Sequence, residues 1–130
     1  MFKNQSRLIQ GNTPFETFPK GDGTAVAIGQ ALVLSGGLLA PATGTTAPEF
    51  ISHTTSPAGE RNEKIPVERI TEVDEYETEL TVNGGSLNPG DRVTLSANGL
   101  GVTAATAGGV FKLTTPGGVA GTKVRGMFRR

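Results

Sequence analysis

The sequence predicts an all-β fold, either a small β-barrel or a β-sandwich, with an extended N-terminal arm. The first observation is compositional, because 19 glycines and 8 prolines in 130 residues indicate many short strands joined by turns. The second is a repeat: residues 29–38 and 90–100 share alternating apolar residues, a Leu-Ser pair and a glycine-bearing turn. Two copies of one hairpin suggest a small β-barrel or sandwich, and the length of 130 residues fits a single domain.

Residues 1–24 are predicted to form the arm, and residues 25–130 the single β-barrel domain. Prolines and glycines interrupt the arm, which shows no sustained hydrophobic period. Its large apolar side chains need burial, either along the body of the same chain or in a neighbouring molecule. They are Phe2, Leu8, Ile9, Phe15 and Phe18.

The rest of the chain alternates strand and turn signals. Strands are predicted, in chain order, at residues 24–28, 31–34, 38–40, 49–53, 64–70, 76–82, 92–97, 100–103, 110–114 and 122–128. Gly29 separates the first two, and Gly36-Gly37 turns the second into the third. Pro66 places the fifth at a sheet edge or at a strand start, because proline cannot donate to the ladder.

The second half carries the clearest signals. Residues 76–82 alternate, so the face that runs from Tyr76 to Val82 is expected to be buried and the intervening face solvated. Residues 88–91, Asn-Pro-Gly-Asp, fit a type II turn with proline second and glycine third. Asn98-Gly99 predicts a hairpin between the strands on either side of it.

The net charge is zero, but the charges are separated along the chain. Residues 60–79 carry eight acids and three bases, whereas residues 112–130 carry five bases and no acid. Strands with these charges can neutralise one another across a sheet, or they can bind other copies or an acidic partner surface. The sequence leaves both interpretations open. For the second one, the candidate contact residues are Glu72, Glu77, Glu79, Arg125, Arg129 and Arg130.

Residues that enzymes and metal sites need are scarce. The chain has no cysteine and one histidine, His53, and its acids lack the spacing of a calcium loop. No glycine pair is followed by the Lys-Ser or Lys-Thr of a phosphate loop. We therefore expect no catalytic site, no cofactor and no metal.

Nucleic acid and membranes are not expected as partners either. Zero net charge and a single tyrosine argue against nucleic-acid binding. The sequence contains neither a run of about 18 apolar residues nor the apolar stretch of a secretory signal. The chain is expected to be made in the cytoplasm as a soluble protein.

The N-terminal arm, residues 31–43 (Ala-Leu-Val-Leu-Ser-Gly-Gly-Leu-Leu-Ala-Pro-Ala-Thr) and the turn-strand-turn at residues 88–100 together point to a family. The chain resembles the small capsid decoration (cement) proteins of tailed bacteriophages over most of residues 25–128. The resemblance implies a β-barrel or β-tulip body without a catalytic site. It also implies homotrimers or other clusters on the outside of the capsid, with an arm that reaches onto the major capsid protein.

The expected function is that of a non-enzymatic virion structural protein. It would bind the outer capsid surface and bridge subunits of the major capsid protein, with many weak contacts giving one strong coat. Two alternatives are a tail or baseplate structural subunit and a carbohydrate-binding, adhesin-like module. The second lacks the exposed tryptophan or tyrosine on which sugars stack, because the chain has no Trp and its one Tyr is expected to face inward.

Overall fold

The computed structural model describes residues 1–5, 15–59 and 63–129. Within these ranges the chain contains strands and turns but no helix, and its ten strands form two five-stranded sheets. All the strand pairs are antiparallel. The predicted all-β fold is confirmed, and because neither sheet closes into a barrel, the architecture is that of a sandwich.

Each sheet takes most of its strands from one half of the chain. Sheet A contains, in spatial order, β1 (Lys3–Asn4), β7 (Tyr76–Glu79), β10 (Lys123–Phe128), β9 (Phe111–Leu113) and β8 (Arg92–Val93). Sheet B contains β2 (Phe15–Pro19), β6 (Lys64–Arg69), β5 (Phe50–Ser52), β3 (Ala31–Ser35) and β4 (Leu38–Pro41). The N-terminal β1 is the exception, since it joins the sheet made by the second half.

Two apolar clusters hold the sandwich together. The larger one contains the rings of Tyr76, Phe111 and Phe128 from sheet A and the ring of Phe2, which immediately precedes β1. Ala31 and Ile51 of sheet B belong to the same cluster. The smaller one contains Leu32 and Phe50, the strand neighbours of those two residues, so it lies on the opposite face of sheet B. The two edges of sheet B approach each other at a bridge between Lys20 and Leu39, and sheet B therefore curls around the smaller cluster.

The described parts of the predicted arm are strands of the sheets rather than irregular chain. β1 pairs with β7, and β2 pairs along its whole length with β6. Phe2 is 2% exposed, with its ring centroid 5.6 Å from that of Phe111 and 5.1 Å from that of Phe128. These residues form strands because their backbone groups complete the ladders of β7 and β6 while Phe2 fills the core. Of the two destinations left open for it, Phe2 takes burial within its own chain.

Two of the predicted turns are confirmed in detail. Gly36 and Gly37 have φ of 59° and 81°, as a two-residue hairpin turn between β3 and β4 requires, and Ser35 lies opposite Leu38. In the turn at residues 88–91, Asp91 N–H donates to the Asn88 carbonyl over 3.1 Å. Gly90 has a φ of 98°, as a type II turn requires.

The hairpin around Asn98-Gly99 is also present, but its ladder is short. Leu95 and Val102 form a single bridge, and Ser96 N–H donates to the Gly101 carbonyl over 2.9 Å. The tip of this second hairpin packs against the first one, since Ala31 N–H donates to the Gly99 carbonyl over 2.8 Å. A Cβ at Gly99 would lie 2.7 Å from the Ala42 carbonyl oxygen, so this contact between the two repeats requires glycine.

Four local predictions are wrong. Residues 24–28 and residues 100–103 are not strands, since only Val26 and Val102 form bridges there. Pro66 lies in β6, an inner strand between β2 and β5, because it faces the point where β5 has ended and its carbonyl accepts from His53 N–H at 3.0 Å. Val82 is 45% exposed rather than buried, since β7 ends at Glu79 and the alternation does not continue to that residue.

Candidate interaction surface

The outer face of sheet A carries several of the predicted contact residues. Along β10, Val124, Gly126 and Phe128 are buried, so the alternate side chains of Lys123, Arg125 and Met127 point away from the core. On β7, Tyr76 and Thr78 are buried, which confirms the predicted inward face. Glu77 and Glu79 therefore share the outer face with the bases of β10.

Acids and bases are matched where β7 lies beside β10. Glu79 is opposite Lys123, and the Lys123 Nζ lies 2.9 Å from Glu79 Oε1. Glu77 is opposite Arg125, whose Nε lies 3.4 Å from Glu77 Oε2. The hydrogen bond to Lys123 holds the pKa of Glu79 below its usual value, and the same bond raises the pKa of Lys123. Of the two interpretations of the separated charges, neutralisation across a sheet is the one that these four residues adopt.

The other half of the same face, over β9 and β8, is unmatched. Arg92 of β8 lies directly opposite Lys112 of β9, and both side chains are exposed. Neither cation has an acidic partner within ion-pair distance in the described part of the chain. On its other side Lys112 lies opposite Met127 of β10. The alternation of Phe111, Lys112 and Leu113 indicates that Lys112 points outward, but the strand register that brings it to Arg92 is not readable from the sequence.

Glu72 and Arg129 come together at one end of the sandwich. They border a cleft of about 220 Å³ between the sheets, whose apolar walls include Ile70 and Phe128. The Arg129 guanidinium donates to the Glu72 carbonyl and also lies 3.3 Å from Met127 Sδ. Arg129 is thereby held against β10, at the end of the outer face of sheet A.

The remaining predicted contact residues have different surroundings. Phe15 is 56% exposed, with its ring centroid 4.4 Å from that of His53. Phe18 is half-buried and packs on Phe50 at 4.9 Å between ring centroids. Leu8, Ile9 and Arg130 lie outside the described residues.

A buried carboxylate links the two sheets behind this surface. Glu68 of β6 is 3% exposed, and its Oε2 accepts hydrogen bonds from Tyr76 Oη at 2.5 Å and Asn4 Nδ2 at 2.6 Å. Its other oxygen lies 3.2 Å from His53 Nε2. Burial and the bond to Glu68 raise the pKa of Tyr76, so that its phenol stays protonated. This cluster around Glu68 was not predicted, because the sequence does not show that β6 and β7 face each other across the core.

The part of the chain that the structure describes has neither a metal-binding cluster nor a membrane-spanning helix. Within residues 1–5, 15–59 and 63–129, no group of three or more histidine and acidic side chains is arranged to hold a metal ion. The same ranges contain no helix that is long and apolar enough to cross a membrane.

The fold is similar to that of the N base of the head fibre gp8.5 in bacteriophage phi29, which is known from a crystal structure. The TM-score is 0.57, and the match covers 88% of this chain and 94% of that chain at 14% sequence identity. Identity at this level shows a common fold alone. No family model matches the sequence, and no curated protein sequence matches it.

Proposed function

We propose that this chain is a non-enzymatic structural protein of a phage virion, that it binds the outer surface of the capsid, and that it stabilises the shell by bridging subunits of the major capsid protein. The observation that carries the proposal is the likeness to the N base of a head fibre. That likeness extends over nearly the whole length of both chains, so the entire domain is shared rather than one motif.

The physical character of the domain agrees with a binding role. Turns that contain glycine join its short strands into a small rigid domain. Its core buries four aromatic rings in contact with one another, those of Phe2, Tyr76, Phe111 and Phe128. A protein of this size has little surface for any single contact. Bridging several shell subunits, or forming a homotrimer that does so, raises the effective concentration at each further contact.

The structural surroundings of the predicted contact residues reduce the number of candidates for the interface. Phe2 fills the core, and Glu77, Glu79 and Arg125 are engaged in cross-strand pairs. Phe15, by contrast, is 56% exposed and lies in β2, the outermost strand on one side of sheet B. An exposed aromatic ring at a sheet edge suits a protein interface, so we take Phe15 as the leading apolar contact to the shell.

The proposal is tested by mixing the purified chain with expanded, undecorated heads of the phage that encodes it and sedimenting the heads. The chain is expected to pellet with the heads up to a fixed saturating ratio. A chain that stays in the supernatant at all concentrations would contradict the proposed function. Native mass spectrometry of the free chain tests the homotrimer.

The role of Phe15 is tested in the same assay with a matched control. Phe15→Ser is expected to weaken head binding about tenfold while the chain stays folded, since the ring is largely exposed and its loss removes one contact with His53. Val73→Ser removes another exposed apolar side chain, which is 80% accessible and is not a predicted contact, and should bind as the unmodified chain does. Equal behaviour of the two variants would remove Phe15 from the interface.

A further inference from the structure

We propose that the outer face of sheet A over β8 and β9 is a docking surface for an acidic patch on a partner protein. Its centre is the pair of Arg92 and Lys112, with Met127 and Arg129 beside them on β10. The inference rests on the proposed function only for the identity of that partner as a phage shell protein.

The strand register makes this a concentrated positive surface rather than scattered lysines and arginines. Lys112 has Arg92 directly opposite on one side and Met127 on the other. Arg125 and Arg129 stand two residues on either side of Met127, so both are diagonal neighbours of Lys112. Lys112, Arg125 and Arg129 therefore lie around the Met127 thioether, and Arg92 adds a fourth cation on the far side of Lys112. Of these four, Arg125 shares its charge with Glu77.

The nearby acids are engaged elsewhere. The Asp91 carboxylate precedes Arg92 in sequence but accepts from Asn88 N–H at 2.9 Å within its turn. The Glu75 carboxylate accepts from Thr114 Oγ1 at 2.9 Å. Glu77 is taken by Arg125. Consequently no acid among the described residues forms an ion pair with Arg92 or Lys112.

Like charges directly opposite each other across two strands destabilise a sheet. At the two outward-facing positions of the β7–β10 pair, the same sheet places an acid opposite a base. Pairing of opposite charges across strands is therefore possible in this sheet. The Arg92–Lys112 juxtaposition is thus unfavourable in the free chain. An acidic partner surface relieves this repulsion on binding, so the pair of like charges favours the bound state over the free chain.

A protein fits this surface better than a nucleic acid does. The surface has no aromatic side chain on which a base could stack, and the whole chain has zero net charge. Met127 is half-buried beside Lys112 and offers an apolar contact next to the central pair of cations. Apolar contacts combined with charged ones are usual in protein–protein interfaces.

The probe for this proposal is poly-L-glutamate, whose binding to the full chain is followed by fluorescence anisotropy at low salt. Arg92→Gln/Lys112→Gln removes the central pair, and the control Lys64→Gln/Lys123→Gln removes two cations elsewhere. The central variant is expected to bind about tenfold more weakly and the control less than about twofold more weakly, since only the central variant loses the two cations of the docking surface. Both variants change exposed side chains, and circular dichroism checks that each one is folded.

An equal loss in the two variants would overturn the proposal, because it would mean that net charge alone determines binding. Tighter binding to a DNA duplex or to phosphatidylserine vesicles at equal anionic charge would also overturn it, in favour of those partners. The sedimentation assay with phage heads separates the two proposals. If the unmodified chain and the central variant bind heads equally, the docking surface is wrong and the proposed function stands. If neither binds heads while the poly-L-glutamate difference persists, the docking chemistry stands and the proposed function is wrong.

Discussion

The two halves of the outer face of sheet A both carry charged side chains, but only one of them pairs acids with bases. Between β7 and β10, Glu77 faces Arg125 and Glu79 faces Lys123. Between β9 and β8, Lys112 faces Arg92. The first half satisfies its charges internally and contributes to a stable sheet, whereas the second leaves like charges together and is available to a partner.

The first half is also the better anchored one on its inner side. Tyr76 of β7 donates to the buried Glu68 carboxylate of sheet B, and Asn4 of β1 donates to the same oxygen. β8 has two residues, of which only Val93 is buried. The proposed docking surface therefore lies on other strands than those that anchor the sheet, so stability and binding can be altered separately.

The largest expected effect comes from loosening the anchored half. Tyr76→Phe should lower the free energy of unfolding by about 1.5–3 kcal/mol, because a buried carboxylate loses one of its hydrogen-bond donors. Urea denaturation measures this. Thr114→Val, which removes an exposed hydroxyl donor to Glu75, is the control and should stay within about 0.5 kcal/mol. Equal small changes would mean that the Glu68 cluster does not anchor β7.

High pH probes the same anchor. The unfolded chain releases the Tyr76 proton near pH 10, whereas burial raises the pKa of the folded phenol. The unfolded state therefore holds fewer protons above that pH, and the free energy of unfolding should fall by up to about 1.4 kcal/mol per pH unit. Below it the contribution is fully present. Because Tyr76 is the only tyrosine, phenolate absorbance reports it alone, and reversible ionisation near pH 10 in the folded chain would contradict the burial.

Charge reversal should have opposite signs in the two halves. Arg92→Glu creates an opposite-charge pair with Lys112 and should raise the free energy of unfolding by about 0.2–1 kcal/mol. Arg125→Glu places two acids opposite each other and should lower it by a similar amount. Both are measured by urea denaturation at low salt. A change of the same sign in both variants would mean that the two halves do not differ in the way described.

The smallest effect is the salt dependence of that difference. At about 1 M salt the screening length falls to about 3 Å, so exposed pairs lose most of their interaction. The stability gain of Arg92→Glu and the loss of Arg125→Glu should both shrink by more than half. Effects that persist unchanged at high salt would point to altered packing rather than to charge.

The local features of this fold could be predicted because their determinants are adjacent in sequence. Gly36-Gly37 and residues 88–91 form the expected turns, since the residues that require positive φ stand at the turn itself. Tyr76 is buried as its alternation indicates. The same alternation predicts a buried Val82, but Val82 is exposed because β7 ends at Glu79. The sequence pattern does not show where the strand ends.

The pairing of distant segments could not be predicted. Nothing local to Phe2 shows that β1 will join β7, because the ladder depends on which backbone edge is open in the folded sheet. The same holds for the candidate surface. Arg125 and Glu77 carry the expected charges, but only the register of β7 with β10 decides that they pair within the chain, and only that of β8 with β9 brings Arg92 to Lys112.

The proposed function places this chain in a phage virion, and cryo-electron microscopy of that phage tests the central claim most directly. We predict density for the two-sheet body on the outside of the head, in contact with more than one subunit of the major capsid protein, with the β8–β9 face of sheet A turned toward acidic side chains of the shell. Density for the chain on the tail, or virions that lack the chain altogether, would contradict the account.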